Sequence, residues 1–353
     1  MDGSPIRQKT YSVNRDLQQI KSEGVEISIY GAIKELNCGG NQLTALDVSK
    51  NVALTTLDCN NNQLAALDVS ENVALLRLYC NSNQLAALDV SKNFALSTLD
   101  CHNNQLTALD VRNNVALTTF NCNNNQLEAL DVSKNVALTD LSCNNNQIAE
   151  LDLSNNVALS TIECDGNQLT ALDVSKNVAI MRLYCQHNQL EALDVSKNVE
   201  LTTLYCSYNK LTALDVSNCV SLTTLYCTYN QLEALDVSDC VSLAKLVCNN
   251  NRITELDMSK NVELTSLSFL VNKITTLDVS ENVLLTTLIC KNNPTVTTLS
   301  VASAYGNASV STELATLITN ATSTTGTLNI YGGDNTTVHT AATTKGWTVN
   351  ANL

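Results

Sequence analysis

Proline and glycine are scarce in this chain: 353 residues hold 2 prolines and 11 glycines, and both prolines, Pro5 and Pro294, fall near the edges of its repetitive part. Cations are also in deficit, 20 Lys and Arg against 34 Asp and Glu, for a formal net charge of −14. That sign argues against sequence-independent binding to nucleic acid, which needs cations to displace counterions from phosphates. It equally disfavours anionic membranes. No run approaches the roughly 18 consecutive apolar residues of a membrane helix, so no membrane insertion is expected. The start, "MDGSPIRQKTYSVNRD", lacks the apolar core of a secretory signal. That leaves an intracellular chain or a mature form given a new start methionine, and the second is the expectation.

Catalytic signatures are missing too. No Gly-x-Ser-x-Gly, phosphate loop, zinc motif or Cys/His pairing occurs, and His102, His187 and His339 are scattered. The expectation is a protein without enzymatic activity, metal or cofactor.

What is present is repetition. Length alone suggests two or three domains of roughly 150 residues, but self-alignment at 21 residues overrides that. It gives Leu-x-x-Leu-x-Cys-x-x-Asn-x-Leu-x-x-Leu-Asp-Val-Ser-x-Asn-x-x over twelve units from Ile33 to Leu284, with a thirteenth begun at Leu285. A fixed period of this size specifies a solenoid. In each unit a Leu and a Cys, such as Leu57 and Cys59, alternate as in a strand and point inward, while Thr56, Asp58 and Asn60 point out. One coil alone leaves its leucines uncovered, so stability comes from stacking on the next.

The columns made by the repeat have bland chemical roles. Twelve of the fourteen cysteines share one position, Cys38 to Cys248 and then Cys290. Strands stacked about 4.8 Å apart suit a disulfide poorly, so buried thiols acting as small apolar residues are expected, and the redox compartment stays undecided. An asparagine column from Asn41 to Asn293 is expected to satisfy backbone groups of a buried turn. A second, from Asn51 on, does so on the opposite side and gives way to Cys219 and Cys240. The twelve aspartates of "LDVS", Asp47 to Asp278, are expected to form Asx turns, diluted by nearby lysines such as Lys50 and Lys92. A calcium column is the alternative, weakened because the glycine-rich nonapeptide of calcium β-rolls is absent.

The units "LDCNNNQLAALDVSENVAL" and "LYCTYNQLEALDVSDCVSL" resemble leucine-rich repeats, specifically the nested 21-residue bacterial class called IRREKO, in which each repeat carries two near-copies of the core. The match spans about residues 33–293, departing from it with Cys at the third core position and Phe269 in place of Cys. The expected fold is an α/β-type solenoid dominated by β, with short parallel strands, one strand-forming and one tighter side, asparagine-ladder turns and weak curvature, roughly 60 Å long. The resemblance implies a secreted or cell-surface bacterial protein with an adhesion or host-interaction role.

Both ends need caps. Residues 1–32 are expected to supply one, with a helix over 16–22 and a strand over 25–30. Residues 294–353 are expected to form the other as β-α-β-α-β, with a helix capped by Ser311, a strand at "GTLNIYG", a helix ended by Gly346 and a strand at "WTVNA". A small binding or anchoring module is the alternative there. Sequons at Asn307, Asn320 and Asn335 carry little meaning in a bacterial protein.

Specificity in a solenoid sits at the variable outward positions. Tyr184, Tyr205 and Tyr226 follow the second leucine in adjacent units, and His187, Tyr208 and Tyr229 lie two positions after the cysteine, with Arg182 and Lys245 alongside. These eight residues are the candidate ligand-binding patch on the concave strand face. Tyrosine with a few cations has the composition of protein-binding surfaces. A protein partner, such as a host surface protein, is therefore expected. Glycan binding by stacking on the rings of Tyr184, Tyr205 and Tyr226 is the runner-up, and a spacer whose tyrosines are merely duplicated and stacked is the third reading.

Overall fold

The computed structural model describes residues 18–19, 33–305, 307–333 and 335–351. The chain divides into two compact units, 1–169 and 170–353.

In the first unit, three-residue strands recur once per repeat: Glu35–Asn37, Thr56–Asp58, Arg77–Tyr79, Thr98–Asp100, Thr119–Asn121, Asp140–Ser142 and Thr161–Glu163. They pair in parallel in a register of 21 residues, Leu36 with Leu57 and Leu57 with Leu78. Alternation decides the faces as expected, since Leu57 and Cys59 are fully buried while Thr56 and Asp58 are half-buried. Each buried leucine contributes roughly 1.5–3 kcal/mol, available only because its neighbours in adjacent coils cover it. Gln18 and Gln19 form a short strand against Leu36 and Asn37. This corrects the helix expected over 16–22, because a free strand edge on the first coil is satisfied by extended backbone and not by a helix. The rest of that helix and the strand over 25–30 lie outside the described residues.

The second unit carries the same strand series, Arg182–Tyr184, Thr203–Tyr205, Thr224–Tyr226, Lys245–Val247, Ser266–Ser268 and Thr287–Ile289. Its "LDVS" side differs from the expected tighter turn. Ala192–Asp194 pairs with Ala213–Asp215, and Glu255–Asp257 pairs with Thr276–Val279. The two halves of a repeat are near-copies, and Leu193 and Val195 alternate inward as Leu204 and Cys206 do, so both halves can extend.

Ala192–Asp194 and Ala213–Asp215 form a sheet of their own, whereas the sheet of Glu255–Asp257 and Thr276–Val279 continues through Thr298–Ala302, Thr327–Tyr331 and Thr348–Asn350, with helices α1 (Ala308–Asn320) and α2 (Thr336–Lys345) between them. The β-α-β-α-β order is as expected. Helix α1 buries Val310, Leu314, Leu317 and Ile318 and packs against the strand Thr287–Ile289 and against α2. Its N-cap is Asn307, whose side chain accepts from the Ser309 N–H at 3.0 Å, rather than Ser311. The Ser311 hydroxyl instead accepts from Nδ2 of Asn335, the N-cap of α2, at 2.9 Å. Gly346 ends α2 in a left-handed conformation, φ 87°.

Asparagines hold the coils together. In the first column, Asn62 Nδ2 donates to the carbonyls of Cys38, Cys59 and Asn60 at 2.9–3.1 Å, and its Oδ1 accepts from Leu43 N at 2.9 Å. Both ends of the amide are used, and adjacent coils are bridged. In the second column, Asn72 Nδ2 donates to Val48 O and Asn51 O, while its buried Oδ1 has no hydrogen-bond partner. An acceptor that is never used explains why cysteine is tolerated there. Cys219 Sγ donates to Val195 O at 3.4 Å and leaves no orphaned oxygen.

None of the fourteen cysteines forms a disulfide, and all are buried. Burial pushes the thiol pKa up to about 12 at Cys38, Cys143, Cys227, Cys240 and Cys290 and to about 11 at Cys219. Thiolate is the reactive form. Native protein at pH 8 is therefore expected to release fewer than about one equivalent of thionitrobenzoate from dithiobis-nitrobenzoate, and all fourteen after denaturation. Rapid labelling of several native thiols would contradict this packing.

The "LDVS" aspartates form Asx turns. Each of the twelve accepts the backbone N–H two residues on at 2.8–3.0 Å, as Asp47 does from Ser49 and Asp110 from Arg112. Side-chain and backbone hydrogen bonds from Ser49 lower the pKa of Asp47, and equivalent bonds act on Asp68, Asp89, Asp131, Asp173, Asp194 and Asp236. The Arg112 side chain brings Asp110 to about 2. A carboxylate with a depressed folded pKa contributes stability that is fully present above its unfolded value and is lost as pH falls through the folded one. Burial raises Asp58 in the opposite direction, but it stands against eight lowered groups. Thermal melts are expected to be level between about pH 5 and pH 8, to fall to lower temperature between about pH 4 and pH 2, and to fall again above about pH 9, where unfolding lets the buried thiols ionise. A melting temperature at pH 2.5 equal to that at pH 6 would refute the link.

Candidate functional site

After each ladder cysteine the backbone turns through one residue in the left-handed region. In the first unit that residue is Gly40, Asn61, Ser82, Asn103, Asn124, Asn145 or Gly166, with φ between 52° and 68°. Glycine has no Cβ to clash, and asparagine bonds locally, so both suit the position. In the second unit the position holds His187, Tyr208, Tyr229, Asn250, Val271 and Asn292, with φ of 54–58°. Three consecutive coils therefore place large rings where L-residues are strained.

Coil spacing stacks those rings. His187 and Tyr208 lie 4.4 Å apart at 12°, and Tyr208 and Tyr229 lie 4.6 Å apart at 20°. Both tyrosines stay about half exposed, 45% and 48%. A second column stands three residues back in each coil: Tyr184 meets Tyr205 edge-on at 5.1 Å, and Tyr205 meets Tyr226 at 4.5 Å, tilted by 52°. Arg182 and Lys245 pair in register with Thr203 and Thr224, so the two cations bracket the threonines. Lys245 Nζ sits 5.1 Å from the centroid of the Tyr226 ring, whose hydroxyl raises the lysine's pKa and keeps it charged. Burial and the flanking phenols raise the Tyr205 pKa, so its hydroxyl remains a donor.

All eight residues singled out in the sequence thus lie on the strand half of the coils of the second unit, in two columns with cations beside them. The sequence reading missed the left-handed backbone beneath His187, Tyr208 and Tyr229. The signal was available, because asparagine and glycine fill most of the rest of that column.

The family described as Leucine Rich repeats (2 copies) matches residues 199–240. The functional domain of InlJ from Listeria monocytogenes, described as including a cysteine ladder, is 34% identical, with 84% of this chain and 74% of that one covered and a TM-score of 0.67. This chain belongs to the leucine-rich repeat family. A leucine-rich repeat protein of Leptospira interrogans shares the fold at 20% identity, covering 92% and 84% of the two chains with a TM-score of 0.69. So does YopM from Yersinia enterocolitica, at 22% identity, 78% and 62% coverage and a TM-score of 0.62. No curated protein sequence matches the chain. The cysteine column places this leucine-rich repeat protein beside the InlJ domain in its interior, while the aromatic columns belong to its surface.

Proposed function

We propose that this leucine-rich repeat protein is a non-enzymatic protein-binding scaffold, secreted or displayed on a bacterial surface, which engages its partner through the tyrosine columns of the second unit. The observation that carries the reading is the placement of His187, Tyr208 and Tyr229 at left-handed turns. Backbone strain of this kind costs roughly 1 kcal/mol or more per residue, and such outliers concentrate at binding sites. Seven other coils build the same turn from Asn, Gly or Ser in the first unit alone; the scaffold does not require rings there. Likeness to the InlJ domain of Listeria monocytogenes supports the bacterial setting.

Glycan binding fits less well. Sugars pack on open ring faces, whereas Tyr208 has His187 on one face and Tyr229 on the other. Pull-down from a host-cell surface extract and a glycan array, each run with wild type, Tyr208→Asn/Tyr229→Asn and Tyr184→Ala/Tyr205→Ala/Tyr226→Ala, tests the proposal. A protein captured by wild type and lost from both variants supports it. Capture by all three proteins alike, or array signal without protein capture, overturns it.

A further inference from the structure

Charge is segregated within the second unit. Its strand-side segments, residues 180–190, 201–211, 222–232, 243–253, 264–274 and 285–294, contain Arg182, Lys210, Lys245, Arg252, Lys273 and Lys291 and no Asp or Glu. The acidic residues of the same coils, such as Asp194, Asp215, Glu233 and Asp239, all fall in the other half. Chance placement is a poor account in a chain with net charge −14. The same segments of the first unit carry Glu35, Asp58, Asp100, Asp140, Glu163 and Asp165 against Lys34 and Arg77.

Four of these cations stand open to a partner. Arg252, Lys273 and Lys291 are exposed. Lys210 is exposed and donates to the neutral amide of Gln189 at 3.0 Å. Ion pairs of the first unit show the contrast, with Arg77 beside Glu35 and Arg112 beside Asp110. Apolar side chains stand among the cations of the second unit, with Val271 at 41% and Ile289 at 43% exposure.

We infer that this strand face of the second unit binds an acidic polypeptide segment that also carries apolar side chains. The inference rests on the protein-binding reading above and adds the chemistry of the partner. Three features converge on it. The cations supply attraction for carboxylates, and the segments that carry them hold no acid, the nearest in sequence being Glu191, Glu200, Glu233 and Glu263 at their ends, with Glu313 of α1 lining one cavity with Lys291. Stacking of His187, Tyr208 and Tyr229 covers the faces between them while both tyrosines stay half exposed, and ring edges and O–H groups meet anionic oxygens, not sugar or base faces. Val271 and Ile289 offer contact area that a polypeptide with apolar side chains buries and a sulfated polysaccharide or a nucleic-acid strand does not.

The test uses the full chain and fluorescence anisotropy with a labelled peptide of repeating Glu-Glu-Leu. A Gln-Gln-Leu peptide of equal length, heparin and oligothymidylate serve as competitors. Wild type is expected to bind the acidic peptide with an affinity that falls steeply with added salt, and to ignore the neutral one. Lys210→Gln/Arg252→Gln/Lys273→Gln, all at exposed positions, is expected to weaken binding about tenfold or more with an unchanged melting temperature. Equal affinity of wild type and variant, equal binding of both peptides, or displacement by heparin or oligothymidylate at concentrations where the acidic peptide fails would each overturn the inference. The failures are separable. If the tyrosine variants lose the captured protein while the cation variant keeps it, protein binding stands and the acidic chemistry falls; if the tyrosine variants keep it, protein binding at that patch falls whatever the peptide does.

Discussion

Asn146→Ala is expected to destabilise the first unit by about 2–4 kcal/mol, as substitution of the equivalent Asn104 or Asn125 would. The amide of Asn146 donates to the carbonyls of Cys122, Cys143 and Asn144 at 3.0–3.2 Å and accepts from Leu127 N at 3.0 Å. All four partners are backbone groups, two of them in the preceding coil, and Asn146 is buried. Alanine leaves the Leu127 N–H without a protein partner, and takes one donor each from the carbonyls of Cys122, Cys143 and Asn144, which keep Asn125 Nδ2, Asn167 Nδ2 and the Asn124 N–H. The orphaned N–H costs roughly 1–3 kcal/mol and the lost bonds about 1 kcal/mol more, and the loss also uncouples two coils whose stability is shared. The contrast that makes this a test of mechanism is Asn135→Cys on the opposite turn. Asn135 donates to Val111 O and Asn114 O at 2.9 Å, but its Oδ1 is buried without a partner. A thiol keeps one weak donor and removes the orphaned oxygen, as Cys219 and Cys240 already do. The expected cost is about 1 kcal/mol or less. Urea unfolding of the two variants against wild type reads both values, and an Asn146→Ala midpoint within error of wild type would refute the role given to the first ladder.

The two ladders also show what a sequence of this kind makes legible. The 21-residue period, the inward Leu and Cys, the asparagine turns, the Asx-turn aspartates and the strand and helix order after Pro294 could all be read directly. Each is a local rule repeated many times, so noise at one coil is corrected by its neighbours. Places read wrongly are those where the rule is used once. Asn307 and Ser311 are both acceptable helix N-caps, and the choice between them was decided by a distant residue, Asn335, which occupies the Ser311 hydroxyl. Gln18 and Gln19 gave no strand signal of their own; their conformation answers the open edge of Glu35–Asn37. The strands on the "LDVS" side of the second unit follow from pairing between coils, which no single repeat encodes. As for the candidate site, its residues could be picked out by type, since tyrosine recurs in three adjacent units. The strain under them and the charge segregation around them could not be weighed until the left-handed backbone and the two halves of each coil were assigned.

Tyr208→Asn/Tyr229→Asn is the substitution in which function and stability are expected to part company. Two opposing terms set its stability. The rings form stacked pairs at 4.4 and 4.6 Å, worth roughly 0.5–1.5 kcal/mol each, and toward the low end because both tyrosines are half exposed. Against that, φ of 56° and 54° is strained for tyrosine and far less so for asparagine, a relief of about 1 kcal/mol per position. The terms nearly cancel, so the double variant is expected to unfold within about 1 kcal/mol of wild type. Binding has no such compensation. Interface tyrosines that anchor a partner cost roughly 2 kcal/mol or more each when removed, about thirtyfold apiece, and asparagine restores neither the ring edge nor the phenol. Capture of the partner is therefore expected to fall below detection in a protein that melts as wild type does. A spacer would pass through the same substitution with nothing lost, and a ring stack kept only for stability would lower the melting temperature and leave capture proportional to the folded fraction. That outcome would account for the strain at positions 208 and 229, since the same turn is closed without rings by Asn103, Asn124, Asn145 and Asn250.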